Sequence, residues 1–446
     1  MVAVKRTSSV SFRRIEDDES NGNESSQPIP MSLRPRSLSH HLSQTNVPSR
    51  AWLQLQAHFW RAGMALGMLF HGWASPHAPA PAFSHSIATD SEPIGLLFYL
   101  PPNYHQTVLG DPLYRFPVVV NFHGGGFCLG DARDDRYWAR VVTQRTGAVF
   151  VSVNYRRAPE AAFPKPVDDC VEALLHLSAH ASDLHIDPLN VALTGFSAGA
   201  NLAFSVPLRL RYCKKINALQ RPPDSPLISQ DRSRDLPPPK FSDHDGRSTL
   251  RPAFNRSSSS MLLHLRTGTP LRIRSIVAWY PLLDWTKSRA QKKRESINPQ
   301  KVLGQTLTDL FDFSYLPPPD REGLHCSPYA SPGLAPDHML ANGLPQDMQI
   351  WLCEWDMLLR EGQVFAARLE RLGKNIDAIV VPRVPHGWDK SPNPFRDQPA
   401  IDILYDKAAR GLAEVFSQDD GLHTRASSIA EGIIGRQPRR SIVLPV

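Results

Sequence analysis

Residues Asn121–Gly130 read NFHGGGFCLG, and the apolar run FPVVVNF (Phe116–Phe122) leads straight into them. Three glycines behind a histidine bury no side chain and carry the largest backbone entropy, so the stretch does nothing for a core. HGGG is also rare by chance, at about 0.003 occurrences per chain of this composition. A backbone this bare offers one thing, which is N–H groups that no side chain obstructs. Fixed donors of that kind stabilise the oxyanion that develops during acyl transfer. A phosphate-cradling loop is the rival reading. It fails, because no Gly-Lys-Ser/Thr follows and GGGF does not fit G-x-G-x-x-G.

An oxyanion loop needs a nucleophile. Downstream, TGFSAGA (Thr194–Ala200) contains G-x-S-x-G between a predicted strand, VALT (Val191–Thr194), and a predicted helix from Ala198. A serine on a sharp strand-to-helix turn stands clear of the backbone, and the flanking Gly195 and Gly199 make room for it. Ser197 is therefore the candidate nucleophile. In this arrangement the chain order is serine, acid, histidine. His386 sits in VPHGWD, just past the predicted strand DAIVVP (Asp377–Pro382). The preceding strand, MQIWLCEW (Met348–Trp355), runs into three candidate acids, Glu354, Asp356 and Glu361. A buried carboxylate there would hold the imidazole tautomer and stabilise the imidazolium.

Outward from these motifs, strands alternate with helices. GLLFYL (Gly95–Leu100), VFVSVNY (Val149–Tyr155) and IRSIVAWY (Ile273–Tyr280) read as further strands. Tyr137–Arg145, Val167–His176, Gln363–Leu372 and Ile401–Phe416 read as helices. The pattern implies an α/β fold with a mostly parallel sheet covered on both faces. Sites in such sheets lie beyond the carboxyl ends of the strands. Upstream, Trp52, Leu55, Phe59, Ala62, Leu66 and Leu69 recur at helical spacing within Ala51–Trp73. That amphipathic helix either packs on the body or lies on a membrane surface. Residues 1–50 and 417–446 read as disordered arms. The span 95–416 is the expected catalytic domain, and 51–94 the helical element ahead of it.

Charge adds little to this. Lys214–Arg274 carries twelve Lys and Arg against five Asp, an excess equal to the chain's whole net charge of +7. A Pro- and Ser-rich stretch of that kind, 214–272, reads as a flexible solvated insert and not as a nucleic-acid face. The five cysteines are odd in number and form no CxxC pair, so neither a disulfide framework nor a zinc site is expected. The start lacks the apolar core of a secretory signal. AGMALGMLF (Ala62–Phe70) is far shorter than the roughly 20 residues that span a bilayer. A cytoplasmic protein, with peripheral membrane contact through 51–73 held open, is the expectation.

With these residues in place, the chain resembles the hormone-sensitive-lipase-like esterases of the α/β-hydrolase fold, fungal members included. Four blocks carry the resemblance between about Gly95 and Phe416: HGGGF (His123–Phe127), NYRRAPEAAFPKPVDD (Asn154–Asp169), GFSAGANLA (Gly195–Ala203), and the WDMLLREG and HGW stretches. The resemblance implies Ser197 as nucleophile, Asp356 as acid and His386 as general base. It implies Gly125, Gly126 and Ala198 as oxyanion donors, and His123 and Gly124 as loop-shaping residues. It also makes Ala51–Trp73 part of a cap over the acyl pocket. The family usually has Asp where this chain has Phe196, and Asp where it has Asn154. A plant hormone-receptor branch has lost the histidine that is present here as His386.

The expectation is a serine ester hydrolase acting on a small hydrophobic ester of short to medium acyl chain, with no cofactor and no metal. An amidase or deacetylase would use the same residues, and a ligand-binding protein the same fold. LRPRSLS (Leu33–Ser39), KRTSSVS (Lys5–Ser11) and RQPRRSIV (Arg436–Val443) resemble basophilic-kinase sites, which phosphoserine readers would bind once modified.

Overall fold

Runs of Val, Phe and Ile without polar interruption suit strands that are buried on both faces. In a computed structural model, which describes residues 47–74, 78–219, 271–318, 321–390 and 396–418, these runs build one sheet of eight strands. The strands are β1 (Phe83–Ile87), β2 (Ile94–Tyr99), β3 (Phe116–Phe122), β4 (Val149–Asn154), β5 (Ile186–Phe196), β6 (Ile273–Trp279), β7 (Asp347–Cys353) and β8 (Asn375–Val381). Their order is β1-β2-β4-β3-β5-β6-β7-β8. β1 and β2 pair antiparallel, β2 is antiparallel to β4, and the remaining pairs are parallel.

Helices cover both faces, as expected. α3 (Arg136–Thr146) and α11 (Gln398–Ser417) enclose one core layer around Trp138, Trp279, Trp351 and Tyr405. The opposite layer holds Leu174, Phe204 and Phe365, which come from α4 (Lys165–Ala179), α5 (Ala198–Leu219) and α10 (Leu359–Arg371). Between β6 and β7 the chain adds α7 (Gln305–Tyr315). The fold is the α/β-hydrolase fold.

Several boundaries differ from the sequence reading, three of them by enough to change an element. β1 lies within 51–94, the stretch read as helical; FSHSI alternates polar and apolar too briefly to register as a strand. β5 begins at Ile186, well ahead of VALT, because Asp187, Pro188 and Asn190 mask its first half. α5 continues through Lys214–Leu219 into the span read as an insert. Residues 220–270 of that insert lie outside the described residues, as do nearly all of both arms and all three kinase-like sites.

The helix ahead of the sheet exists as α1 (Arg50–Ala74), but its packed face is not the stripe counted in the sequence. Leu53 and Ala57 are buried against Leu310 of α7. Arg61, one turn on, donates to the Cys128 and Ala158 carbonyls at 2.8 and 2.9 Å and is paired with Glu160 at 2.8 Å. Trp52, Leu55, Phe59, Leu66 and Leu69 face outward. Both sides of this helix are apolar, so periodicity alone could not say which one docks. Among the described residues no helix is long and apolar enough to cross a membrane.

Candidate active site

The carboxyl ends of β3, β5, β7 and β8 meet at one edge of the sheet, and every residue singled out in the motifs lies there. β5 ends at Phe196 and α5 begins at Ala198, so Ser197 makes the turn alone, at φ +54°. A non-glycine residue held in the left-handed region costs about 1 kcal/mol, which its surroundings must offset. Two backbone hydrogen bonds hold this one. The Ser197 N–H donates to the Trp279 carbonyl at 2.8 Å, and the Asn201 N–H donates to the Ser197 carbonyl at 3.0 Å. The turn also needs Gly199: a Cβ there would stand 1.9 Å from the Phe122 carbonyl oxygen, at the end of β3. That close approach brings the glycine loop beside the serine.

The loop curls back on itself. Gly125, at φ +105°, lies in a region that side chains avoid, and its carbonyl accepts from the Cys128 and Leu129 N–H groups at 3.0 and 2.8 Å. Gly124 packs against the Phe196 carbonyl, and Gly126 lies under the Phe311 ring of α7. Ala198 opens α5, and the first-turn N–H groups of a helix have no acceptor of their own.

His123 is fully buried, its ring stacked on Tyr155 at a centroid distance of 4.1 Å. The Tyr155 hydroxyl donates to the His123 carbonyl at 2.8 Å. The ring itself bonds only locally, through Nδ1 to the Gly124 carbonyl at 2.9 Å. Burial pulls its pKa down to about 4. A neutral, stacked ring suits a residue that shapes the loop.

His386 follows β8. Its Nε2 lies 2.8 Å from Ser197 Oγ and its Nδ1 lies 2.6 Å from Asp356 Oδ2. Asp356 is 1% exposed, and its other oxygen accepts the Leu358 N–H at 3.0 Å. This network assigns Nδ1–H as the donor to Asp356 and leaves Nε2 to accept from the serine. The other two candidate acids are engaged elsewhere. Glu354 accepts the Arg383 N–H at 2.7 Å. Glu361 is buried against Lys292 at 2.5 Å and accepts the Leu283 N–H at 2.7 Å. Geometry selects Asp356 from three carboxylates that the residues alone left open.

Sequence reasoning missed the support of the histidine loop. Asp389, 3% exposed, accepts from the Tyr280 hydroxyl at 2.7 Å and from the Tyr405 hydroxyl at 2.5 Å. The Tyr280 ring meets the His386 ring edge-on at 4.8 Å. The only hint in the sequence was an aspartate three residues past the histidine in VPHGWD. The unusual Phe196 also finds its reason. Its ring stacks parallel to Trp279 at 5.7 Å, and Lys390 Nζ sits 3.9 Å over its face while pairing with Asp135 at 2.9 Å. A cation over an aromatic face is favourable, and more so when water is excluded.

Near the loop, burial and the adjacent Asp135 raise Asp134 from its ordinary carboxylate value to about 7. The sign of its effect follows. Between about pH 4 and pH 7 the unfolded chain has lost this proton and the native chain keeps it, so the contribution of Asp134 to stability falls as pH rises. His123 works in the opposite sense over much of that range, since its lowered pKa leaves the native chain short of a proton. A difference measurement separates the two. The melting temperature of Asp134→Asn minus that of the wild type is expected to grow from pH 4 to pH 7.5. A difference that stays flat would contradict the assignment. Among the described residues no group of three His, Cys, Asp or Glu is placed to hold a metal.

A chain with this edge is similar to known hydrolases. It is 27% identical over 278 residues to Lipase 2 of Moraxella sp., an alignment covering 61% of this chain and 54% of that protein. The chain thus spans about half the length of that curated relative. It is 37% identical over 92 residues to human hormone-sensitive lipase, 21% of this chain and 9% of that one. A thermostable esterase from Pseudomonas putida superposes with a TM-score of 0.60 at 20% identity, over 82% of this chain and 92% of that chain; at that identity the match speaks for the fold. The family described as alpha/beta hydrolase fold matches residues 119–233 and 258–390, more than half of the sequence and every candidate site residue in it. With the glycine loop, the elbow and the histidine loop on one sheet edge, the chain belongs to the alpha/beta hydrolase fold family, as one of its hormone-sensitive-lipase-like members.

Proposed function

We propose that the protein hydrolyses carboxylic esters through Ser197, His386 and Asp356. The observation that carries this reading is the bridge made by His386, 2.8 Å to the serine hydroxyl and 2.6 Å to a buried carboxylate. His386 takes the hydroxyl proton as Ser197 attacks the ester carbonyl. The N–H groups of Gly125, Gly126 and Ala198 receive the developing oxyanion. The alcohol leaves with the proton from His386, and a water activated by the same nitrogen then releases the acid. Asp356 holds the tautomer throughout and stays ionised.

The acyl group in this reading is short to medium, as the family resemblance implies; the Phe311 ring, which a Cβ at Gly126 would meet within 2.3 Å, takes up space beside the oxyanion loop and supports it. Hydrolysis of p-nitrophenyl esters from acetate to palmitate tests both halves of the proposal. Turnover is expected to be greatest at acetate to butyrate and to fall at least tenfold by the octanoate. A preference for palmitate would contradict the pocket, and no turnover of any ester by folded protein would contradict the reaction.

A further inference from the structure

Helix α1 exposes an apolar face that nothing in the chain's described residues covers. Leu53, Ala57 and Met64 turn towards the body. On the other side Trp52 is 51% exposed, Leu55 60%, Phe59 74%, Leu66 57% and Leu69 64%. At 100° per residue these five fall within an arc of about 100°, along roughly 25 Å of helix. Large apolar residues gathered in one stripe mark a surface that meets something.

Charge says what that is. Residues 25–89 contain neither Asp nor Glu, while they carry Arg34, Arg36, Arg50 and Arg61 together with six histidines. Arg61 is paired with Glu160 and Arg50 donates only to the Glu160 carbonyl, so the sequence of this segment keeps an excess of positive charge with no acid of its own. A second copy of the chain would bring one such acid-free segment against another, which like charges oppose. The surface of a bilayer with anionic headgroups has the complementary charge, and Trp and Phe side chains settle at its boundary between headgroup and acyl chain.

We propose that α1 lies flat on anionic membranes, with the face from Trp52 to Leu69 buried among the headgroups. The inference is independent of the chemistry at Ser197. It adds a site of action to the protein: an esterase held this way would meet esters that partition into the membrane surface.

Sedimentation of the full chain with vesicles tests it. The vesicles are phosphatidylcholine alone, or phosphatidylcholine with about one third phosphatidylserine. Wild type is expected to sediment with the phosphatidylserine vesicles and to leave them in high salt. The triple variant Leu55→Ser, Phe59→Ser, Leu66→Ser should bind about a hundredfold more weakly. Circular dichroism and the melting temperature of the variant should match those of the wild type, since the three side chains face outward. Wild type that stays in solution with both vesicles overturns the proposal, and so does a folded triple variant that binds equally well. Equal binding to both vesicle types overturns the part played by charge. Wild type that is dimeric without binding vesicles, and monomeric once the three residues are changed, assigns the face to a second copy instead.

Discussion

Ser197→Ala is expected to lower kcat/KM on p-nitrophenyl acetate by about 10⁴-fold or more while leaving the protein as stable as before. The substitution removes one oxygen, whose one hydrogen-bond partner among the described residues is His386 Nε2 at 2.8 Å. The backbone of the turn is held by the bonds to Trp279 and Asn201, which alanine keeps. Alanine is no worse than serine at φ +54°, so the change in stability should stay within about 1 kcal/mol. What remains is catalysis by the oxyanion donors and by binding, which persists when triad members are removed. Activity close to that of the wild type would mean that the nucleophile lies elsewhere.

Asp356→Asn should cost a similar factor, about 10⁴ in kcat, and for a different reason. An asparagine amide can present a donor to His386 Nδ1. The ring then carries its proton on Nε2 and cannot accept one from the serine. Glu361→Gln is the informative partner experiment. Glu361 stands five residues away and is also buried, but it faces Lys292, whose side chain is 2% exposed. Neutralising it strands a buried ammonium, which costs on the order of 3–5 kcal/mol. The folded fraction should nonetheless turn over ester within about tenfold of the wild type. Loss of stability with retained turnover at Glu361, and retained stability with lost turnover at Asp356, separates a structural carboxylate from a catalytic one. The reverse pattern would exchange their roles.

Much of the fold was legible because its signals are local. Continuous apolar runs placed six of the eight strands to within a residue or two, and the HGGG and G-x-S-x-G motifs fell at strand ends as the chemistry requires. β1 was not legible: five residues of mixed polarity become a strand only because β2 offers them an edge. α1 was legible as a helix but not in its orientation, since apolar residues lie on both sides and distant partners, Leu310 and the Arg61 contacts to Cys128, Ala158 and Glu160, decide which is docked. The choice among Glu354, Asp356 and Glu361 needed distances, because three carboxylates within eight residues present the same pattern to a reader of the sequence. Asp389 was hidden for a further reason. Its importance rests on Tyr280 and Tyr405, which lie more than a hundred residues upstream and sixteen residues downstream of it.

Phe196 shows the same limit from the other side. Related elbows usually carry an acidic residue there, and the sequence alone gives no reason for a phenylalanine. In the structure it belongs to an aromatic layer with Trp279, Trp351 and Tyr405, and Lys390 takes both its face and the Asp135 carboxylate. The substitution leaves the approach of Ser197 to His386 intact.

The most direct test of the central claim is covalent. A p-nitrophenyl phosphate diester reacts with a serine that a neighbouring base activates and spares ordinary serines, so intact-mass and peptide analysis after brief exposure reads the nucleophile itself. One phosphoryl group on the Ser197 peptide, absent from Ser197→Ala and slowed at least a hundredfold in His386→Ala, is the predicted result. A folded wild-type protein that takes up no label, or takes it up on another serine, would contradict the assignment.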